Sequence, residues 1–148
     1  MNEPRNQPAY LYKILSKSDY LAFASLRSSP YAGTIHDGKD GFIHLSTSKQ
    51  IPTTLKKFYS EESVEKYDKL TSRSIAQEPD IATESQVWIV QLSYKAVKKD
   101  VTWEGGEDED SRFPHIYGTV SPINDVIDIL HIRRKDDGCF ELVTELEF

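Results

Sequence analysis

The sequence lacks most features that mark specialised protein classes. Its 148 residues include one cysteine, Cys139, so no disulfide can form within the chain, and such usage suits a reducing compartment. No apolar run approaches the roughly 18 residues of a membrane-spanning helix, and the N-terminus has no apolar signal core. Glycine-rich phosphate loops and the GxSxG nucleophile elbow are also missing. We therefore expect a soluble protein of the cytoplasm that makes no membrane contact, with the nucleus also open to it.

Positive charge is scarce as well. There are 24 acidic and 18 basic residues, which gives a net charge of −6, so the chain as a whole does not attract long nucleic acids. A single terminal phosphate stays open as a ligand. The histidines and the lone cysteine do not follow metal-ligand spacing, so the sequence predicts no metal.

What is present is a set of short periodic segments, typical of a mixed α+β domain. Helical spacing predicts two helices in the N-terminal half, one over 20–27 and one after a capping box of Thr47 and Gln50. The stretch 33–39 is predicted to be a polar turn, and 93–100 a connection. Alternation and apolar runs predict about six strands, at 10–15, 41–46, 87–92 (a central strand buried on both faces), 101–104, 126–132 and 139–143.

The domain organisation predicted is simple. Residues 1–9 form a flexible tail, and 10–148 form a single domain. Within it, the polar stretch 60–86 is an insertion or long surface loop, either merely solvated or functional. No helices alternate regularly with the strands, so a doubly wound parallel sheet is not expected.

The first candidate site is the stretch Gly41-Phe42-Ile43-His44-Leu45-Ser46. In a strand, alternate side chains share a face, so Ile43 and Leu45 can enter the core while Phe42, His44 and Ser46 face the other way. An imidazole beside a hydroxyl can bind a ligand hydroxyl or shuttle a proton. The plain alternative is a partly buried histidine whose hydrogen bonds are satisfied within the protein.

The second candidate region lies downstream. Glu104 follows Trp103, and a carboxylate against an aromatic wall can have a raised pKa and act as an acid or base. In the stretch 112–118, the aromatic residues Phe113 and Tyr117, flanked by His115 and Arg112, suit a ring-stacking pocket, and Arg112 could pair with a phosphate. The alternatives are a solvated edge carboxylate and a proline-kinked strand whose aromatic side chains belong to the core.

These segments resemble the family named domain of unknown function 952. The matching pieces, in order, are Tyr12-Lys13-Ile14-Leu15, Asp40-Gly41-Phe42-Ile43-His44-Leu45-Ser46, Trp103-Glu104 and Phe113-Pro114-His115-Ile116-Tyr117-Gly118. They extend over nearly the whole chain. That family looks similar in fold to the ADP-ribosyltransferases, whose split, curved sheet cradles NAD. The segment Ile43–Ser46 is also similar to a His-Leu-Ser strand of the NAD-dependent RNA 2′-phosphotransferases.

The resemblance implies an NAD or ADP-ribose cleft, with NAD as a substrate. Tyr12 and Lys13 would lie on the strand that contacts NAD, where the superfamily usually has histidine or arginine. His44 and Ser46 would bind ribose hydroxyls, and Glu104 would stand in for the catalytic glutamate that supports a ribose cation. Tyr117 would stack on the base or nicotinamide, and His115 would act as acid, base or ligand donor.

Two other functions fit the same residues. One is a non-catalytic module that keeps the cleft and binds a small molecule, an RNA end or a protein. The other is hydrolysis or transfer at a phosphorylated or ADP-ribosylated RNA end, with His44 and His115 as the acid–base pair.

Overall fold

The computed structural model describes residues 3–59, 86–108, 111–133 and 146–148. These residues form a mixed α+β fold, as predicted. The strands are β1 (Tyr10–Leu15), β2 (Ile43–His44), β3 (Gln86–Ser93), β4 (Val101–Gly105), β5 (Arg112–Ile116) and β6 (Val126–Arg133). The helices are α1 (Lys17–Ser25), α2 (Ile35–Asp40), α3 (Ile51–Tyr59) and α4 (Tyr94–Val97), with a 3₁₀ turn at Lys98–Asp100. None of these helices has the length and apolar character needed to cross a bilayer.

The first sheet has the order β1-β3-β6, with both pairs antiparallel. Its central strand β3 buries side chains on both faces, because Val87 and Ile89 point one way and Val90 and Leu92 the other. This confirms the prediction for 87–92. Residues from β1 divide between the same two faces. Helix α3 covers one face with Ile51 and Leu55, and the second sheet contributes to the core on the other.

The second sheet has the order β2-β5-β4 and is also antiparallel. Alternation gives it one apolar face and one polar face. The apolar face contributes Ile43, Val101, Trp103 and Ile116 to the core, each at most 2% exposed. The polar face carries His44 and His115, which are directly opposite each other in the register. Both sheets meet where Tyr12 and Ser46 exchange backbone hydrogen bonds of 2.8 and 2.9 Å.

Helix α2 joins the two sheets through a buried ion pair. Its N-cap Thr34 forms a capping box with Asp37, whose carboxylate also accepts the His44 backbone N–H at 3.1 Å. Lys13 of β1 lies 2.7 Å from the same carboxylate, and both side chains are at least 92% buried. After the helix, Gly41 at φ 86° provides the left-handed turn that leads into β2.

Several local predictions were wrong. The expected turn at 33–39 is mostly helix α2, and part of 93–100 is helix α4. The stretch 112–116 is strand β5, which agrees with the proline-kinked strand given as the alternative for it. The strand predicted over 41–46 extends only over Ile43–His44, because Gly41 ends α2 directly before it. The predicted strand at 139–143 and nearly all of the insertion at 60–86 lie outside the described residues. Within the predicted tail of residues 1–9, Glu3 accepts a 2.6 Å hydrogen bond from the Tyr94 hydroxyl.

Candidate functional site

Five side chains gather on or beside the polar face of the second sheet, and we call them the imidazole–carboxylate cluster: Phe42, His44, Glu104, His115 and Tyr117. The strand register explains why they meet. His115 lies on the middle strand β5, opposite His44 of β2. Glu104 of β4 is opposite Phe113, so it is the diagonal neighbour of His115 on the same face. Three strands thus supply one site.

Glu104 is the hydrogen-bonding centre of the cluster. Its Oε1 accepts the Tyr117 hydroxyl at 2.7 Å and lies 2.9 Å from His115 Nδ1. With the proton on Nδ1, His115 donates to the carboxylate and keeps Nε2 as an acceptor. Phe42 stacks on the His115 ring, with 4.1 Å between ring centroids and 22° between planes. The carboxylate and the phenyl ring together fix the orientation of the imidazole.

These contacts make Glu104 a more acidic group, whereas the sequence suggested a raised pKa. The hydrogen bond from Tyr117, then the one from His115, lowers the pKa of Glu104 below its usual 4.5. Trp103 lies on the opposite, buried face of β4 and forms no apolar wall around the carboxylate. The same hydrogen bond to Glu104 raises the pKa of Tyr117 above 10.0. Glu104 is therefore an anion at neutral pH and is suited to stabilising positive charge.

His44 forms a second imidazole–carboxylate pair. Its Nε2 lies 2.6 Å from Asp40 Oδ2, and its ring centroid lies 5.2 Å from that of His115. Burial lowers the pKa of His44 below 6.5, and the hydrogen bond to Asp40 opposes this shift only in part. His44 is therefore mainly neutral at pH 7. Two imidazoles, each paired with a carboxylate, face each other across the β2–β5 pair.

Asp40 also approaches a third histidine. His36, one turn earlier on α2, places Nε2 3.5 Å from Asp40 Oδ2. One ligand atom from each of His36, Asp40 and His44 lies within 4.8 Å of the other two. The histidines and the lone cysteine by themselves show no metal-ligand spacing, so this group, whose third ligand is an aspartate, did not stand out in the sequence. The spacing His-x3-Asp-x3-His, which places His36 and Asp40 on one face of a helix, was the available signal.

A sequence model of the family described as "Protein of unknown function (DUF952)" matches residues 15–70 and 80–129, well over half of the chain. The chain belongs to the DUF952 family. No curated protein matches it.

The fold is shared with a protein of solved structure. The crystal structure of protein CC0527 from Caulobacter crescentus has a TM-score of 0.64 and 22% identity, over 89% of this chain and 93% of that one. The solution NMR structure of the same protein gives a TM-score of 0.61 at 22% identity, over 88% and 90% of the two chains. These matches support the α+β fold. The likeness to ADP-ribosyltransferases stays a prediction.

Four other predicted site residues of this DUF952 chain lie outside the imidazole–carboxylate cluster. Tyr12 is 1% exposed, and its hydroxyl donates to the Glu147 carbonyl at 2.6 Å. Lys13 forms the buried pair with Asp37 described above. Ser46 is 6% exposed. Arg112 falls on the opposite face of β5 from His115 by alternation, and its guanidinium donates to the Glu107 carbonyl at 2.8 Å.

Of the predicted residues, the structure thus brings together Glu104, His44, His115 and Tyr117. Phe42 joins them. Alternation predicted its place on the same strand face as His44, but the sequence suggested no role for it.

Proposed function

We propose that this DUF952 protein binds a nucleotide of the NAD or ADP-ribose class at the imidazole–carboxylate cluster and transfers or hydrolyses a group at its ribose. The observation that carries the proposal is the doubly hydrogen-bonded Glu104 anion beside the paired rings of His44 and His115. Breaking a bond at the ribose anomeric carbon develops positive charge on the sugar. A fixed carboxylate nearby stabilises that charge.

Stacking would hold the base or the nicotinamide ring. Tyr117 is 49% exposed and its centroid lies 5.3 Å from that of Phe42, so two aromatic rings border the cluster. Flat heteroaromatic ligands favour such ring surfaces. The neutral imidazole of His44 can exchange hydrogen bonds with ribose hydroxyls. In this proposal Tyr12, Lys13 and Ser46 support the strands and do not contact the ligand.

One observation favours a second candidate function, acid–base chemistry at a phosphorylated RNA end. His44 and His115 are 5.2 Å apart between centroids, and each has its own carboxylate partner. One imidazole can accept a proton from an attacking hydroxyl while the other protonates the leaving oxygen. This chemistry needs no ribose cation, so it depends on both histidines more than on Glu104.

A thermal-shift titration with NAD, ADP-ribose, nicotinamide and a 2′-phosphorylated RNA end tests both candidates. A ligand at about 100 times its Kd stabilises the folded state by about 2.7 kcal/mol. We expect this shift with NAD or ADP-ribose and its loss in His115→Ala. A shift confined to the RNA end would instead support the second candidate.

His131→Ala is the matched control. His131 lies on β6 of the first sheet, where it stacks on Trp88 with centroids 4.5 Å apart. The control should keep the full ligand shift. No shift with any of the four ligands, or an equal shift in His115→Ala, would overturn the proposal. A positive binding result then leads to turnover assays with wild type and Glu104→Gln, since a binding module would give no product in either.

A further inference from the structure

We propose that His36, Asp40 and His44 form a binding site for a divalent transition-metal ion of the Zn²⁺ type. The three residues supply two imidazole nitrogens and one carboxylate oxygen within 4.8 Å of one another. The proposal rests on these positions alone and is independent of nucleotide binding.

The separations suit a single ion. A tetrahedral zinc ion with bonds of about 2.1 Å holds its ligand atoms about 3.4 Å apart. His36 Nε2 and Asp40 Oδ2 are 3.5 Å apart, close to that value. His44 Nε2 and Asp40 Oδ2 are 2.6 Å apart, the length of a hydrogen bond, and a metal ion replacing the shared proton would move them outward by less than 1 Å. Side-chain rotation alone can supply this change, because Asp40 is 39% exposed.

The backbone of helix α2 and strand β2 holds the three ligands in place. His36 and Asp40 lie four residues apart on α2, so they project from the same helix face. His44 is on β2, and its N–H is bonded to Asp37 of the same helix. The capped helix and the strand therefore keep a fixed relationship. Three ligands held on one helix and one strand require less ordering on binding than ligands on separate loops.

The donor set indicates the class of metal. Imidazole and carboxylate ligands suit Zn²⁺, Fe²⁺, Co²⁺ and Ni²⁺, whereas Mg²⁺ and Ca²⁺ prefer oxygen ligands alone. Three protein ligands leave a coordination position for water or substrate, as in catalytic zinc sites. The side chains of His36 and His44 are 55% and 37% exposed, so solvent reaches the ligands. His44 also belongs to the imidazole–carboxylate cluster, which places an ion bound here beside that cluster.

Titration of chelator-treated protein with Co²⁺ and Zn²⁺, without nucleotide, tests the site. Co²⁺ should give a visible ligand-field band that saturates at one equivalent, and Zn²⁺ should displace it while Mg²⁺ should not. His36→Ala and Asp40→Asn should each weaken binding at least about tenfold. His131 is an exposed histidine on the other sheet, so the His131→Ala variant should bind the metal ion like wild type. Circular dichroism confirms that each variant is folded.

Absence of a saturable band, or equal affinity in His36→Ala and wild type, would overturn the metal site. The outcome is separable from that of the nucleotide proposal, because His36 is outside the imidazole–carboxylate cluster. In the presence of chelator, His36→Ala should keep the wild-type thermal shift with NAD or ADP-ribose. Metal binding without any thermal shift from a nucleotide would support the metal site and overturn the nucleotide proposal.

Discussion

The two sheets of this protein are built from the same kinds of strand and carry different properties. The first sheet, β1-β3-β6, buries apolar residues on both faces of its central strand. The second, β2-β5-β4, buries one face and leaves the imidazole–carboxylate cluster on the other. Removing apolar surface from water is the main stabilising contribution to folding. The comparison therefore assigns stability mainly to the first sheet and ligand chemistry to the second.

Helix α2 shows the same difference between a buried, stabilising group and an exposed one, because Asp37 and Asp40 are only three residues apart. Asp37 is 1% exposed and bonded to Lys13, Thr34 and the His44 backbone. Asp40 is 39% exposed and pairs with two histidines. One carboxylate supports the fold and the other belongs to the exposed histidine group.

The largest expected effect follows from breaking the buried pair. Asp37→Ala leaves the Lys13 ammonium buried without its partner and removes the side-chain acceptor of the Thr34 backbone N–H, which is half of the α2 capping box, so unfolding free energy should fall by about 3–5 kcal/mol. Chemical denaturation measures this loss. Asp40→Ala is the matched control, and it should change stability by about 1 kcal/mol or less because its pairs are exposed. Equal losses in the two variants would contradict the assignment.

A second prediction separates the sheets directly. Ile89 of β3 is fully buried, so Ile89→Ala should lower unfolding free energy by about 2–5 kcal/mol through lost burial and a cavity. His115→Ala, on the polar face of the second sheet, should cost less in stability and should abolish the nucleotide shift. Denaturant unfolding measures the stability of both variants, and ligand titration measures their nucleotide affinity. A nucleotide affinity reduced in folded Ile89→Ala would show that the two sheets are coupled.

The same contrast explains how much the sequence could predict. Strand β1 shows alternation and strand β3 is a nearly continuous apolar run, so Tyr10–Leu15 and the central strand were predicted correctly. Helix α2 was missed because its sequence IHDGKD has no apolar periodicity. It is stabilised by its cap and by a lysine more than 20 residues earlier in the chain. Strand β5 was predicted only as an alternative, because Pro114 lacks an N–H and is uncommon in a middle strand.

The candidate site was predictable in part for a related reason. His44, Glu104, His115 and Tyr117 stood out by residue type, and the strand register brings them together. The roles given to Tyr12 and Lys13 came from family likeness, and the structure pairs them with Glu147 and Asp37. Those partners are distant in sequence, so no local pattern could reveal them.

A smaller effect tests the placement of Tyr12. Tyr12→Phe removes the hydrogen bond to the Glu147 carbonyl and should lower unfolding free energy by about 1 kcal/mol. Because the side chain is buried in the first sheet, nucleotide binding and its thermal shift should be unchanged. If Tyr12→Phe lost the thermal shift with ligand while its stability stayed near wild type, Tyr12 would be part of the binding site.

The smallest effect is electrostatic and leaves the fold intact. The Glu104 carboxylate raises the pKa of Tyr117, so Glu104→Gln should lower that pKa towards its ordinary value of 10.0. NMR of ring-labelled tyrosine measures it, and Tyr117→Phe identifies the resonance among the eight tyrosines.

The raised pKa of Tyr117 also makes stability depend on pH. For a group whose folded-state pKa is raised, the stabilising contribution is complete below the unfolded pKa of about 10 and is lost as pH rises through the folded value. Wild type should therefore lose this contribution in alkaline solution, and Glu104→Gln should show a weaker dependence over the same window. Glu107→Gln, a substitution on the adjacent exposed loop, should leave the Tyr117 titration at its wild-type position. An unchanged Tyr117 pKa in Glu104→Gln would mean that the Glu104–Tyr117 hydrogen bond does not hold the cluster together in solution.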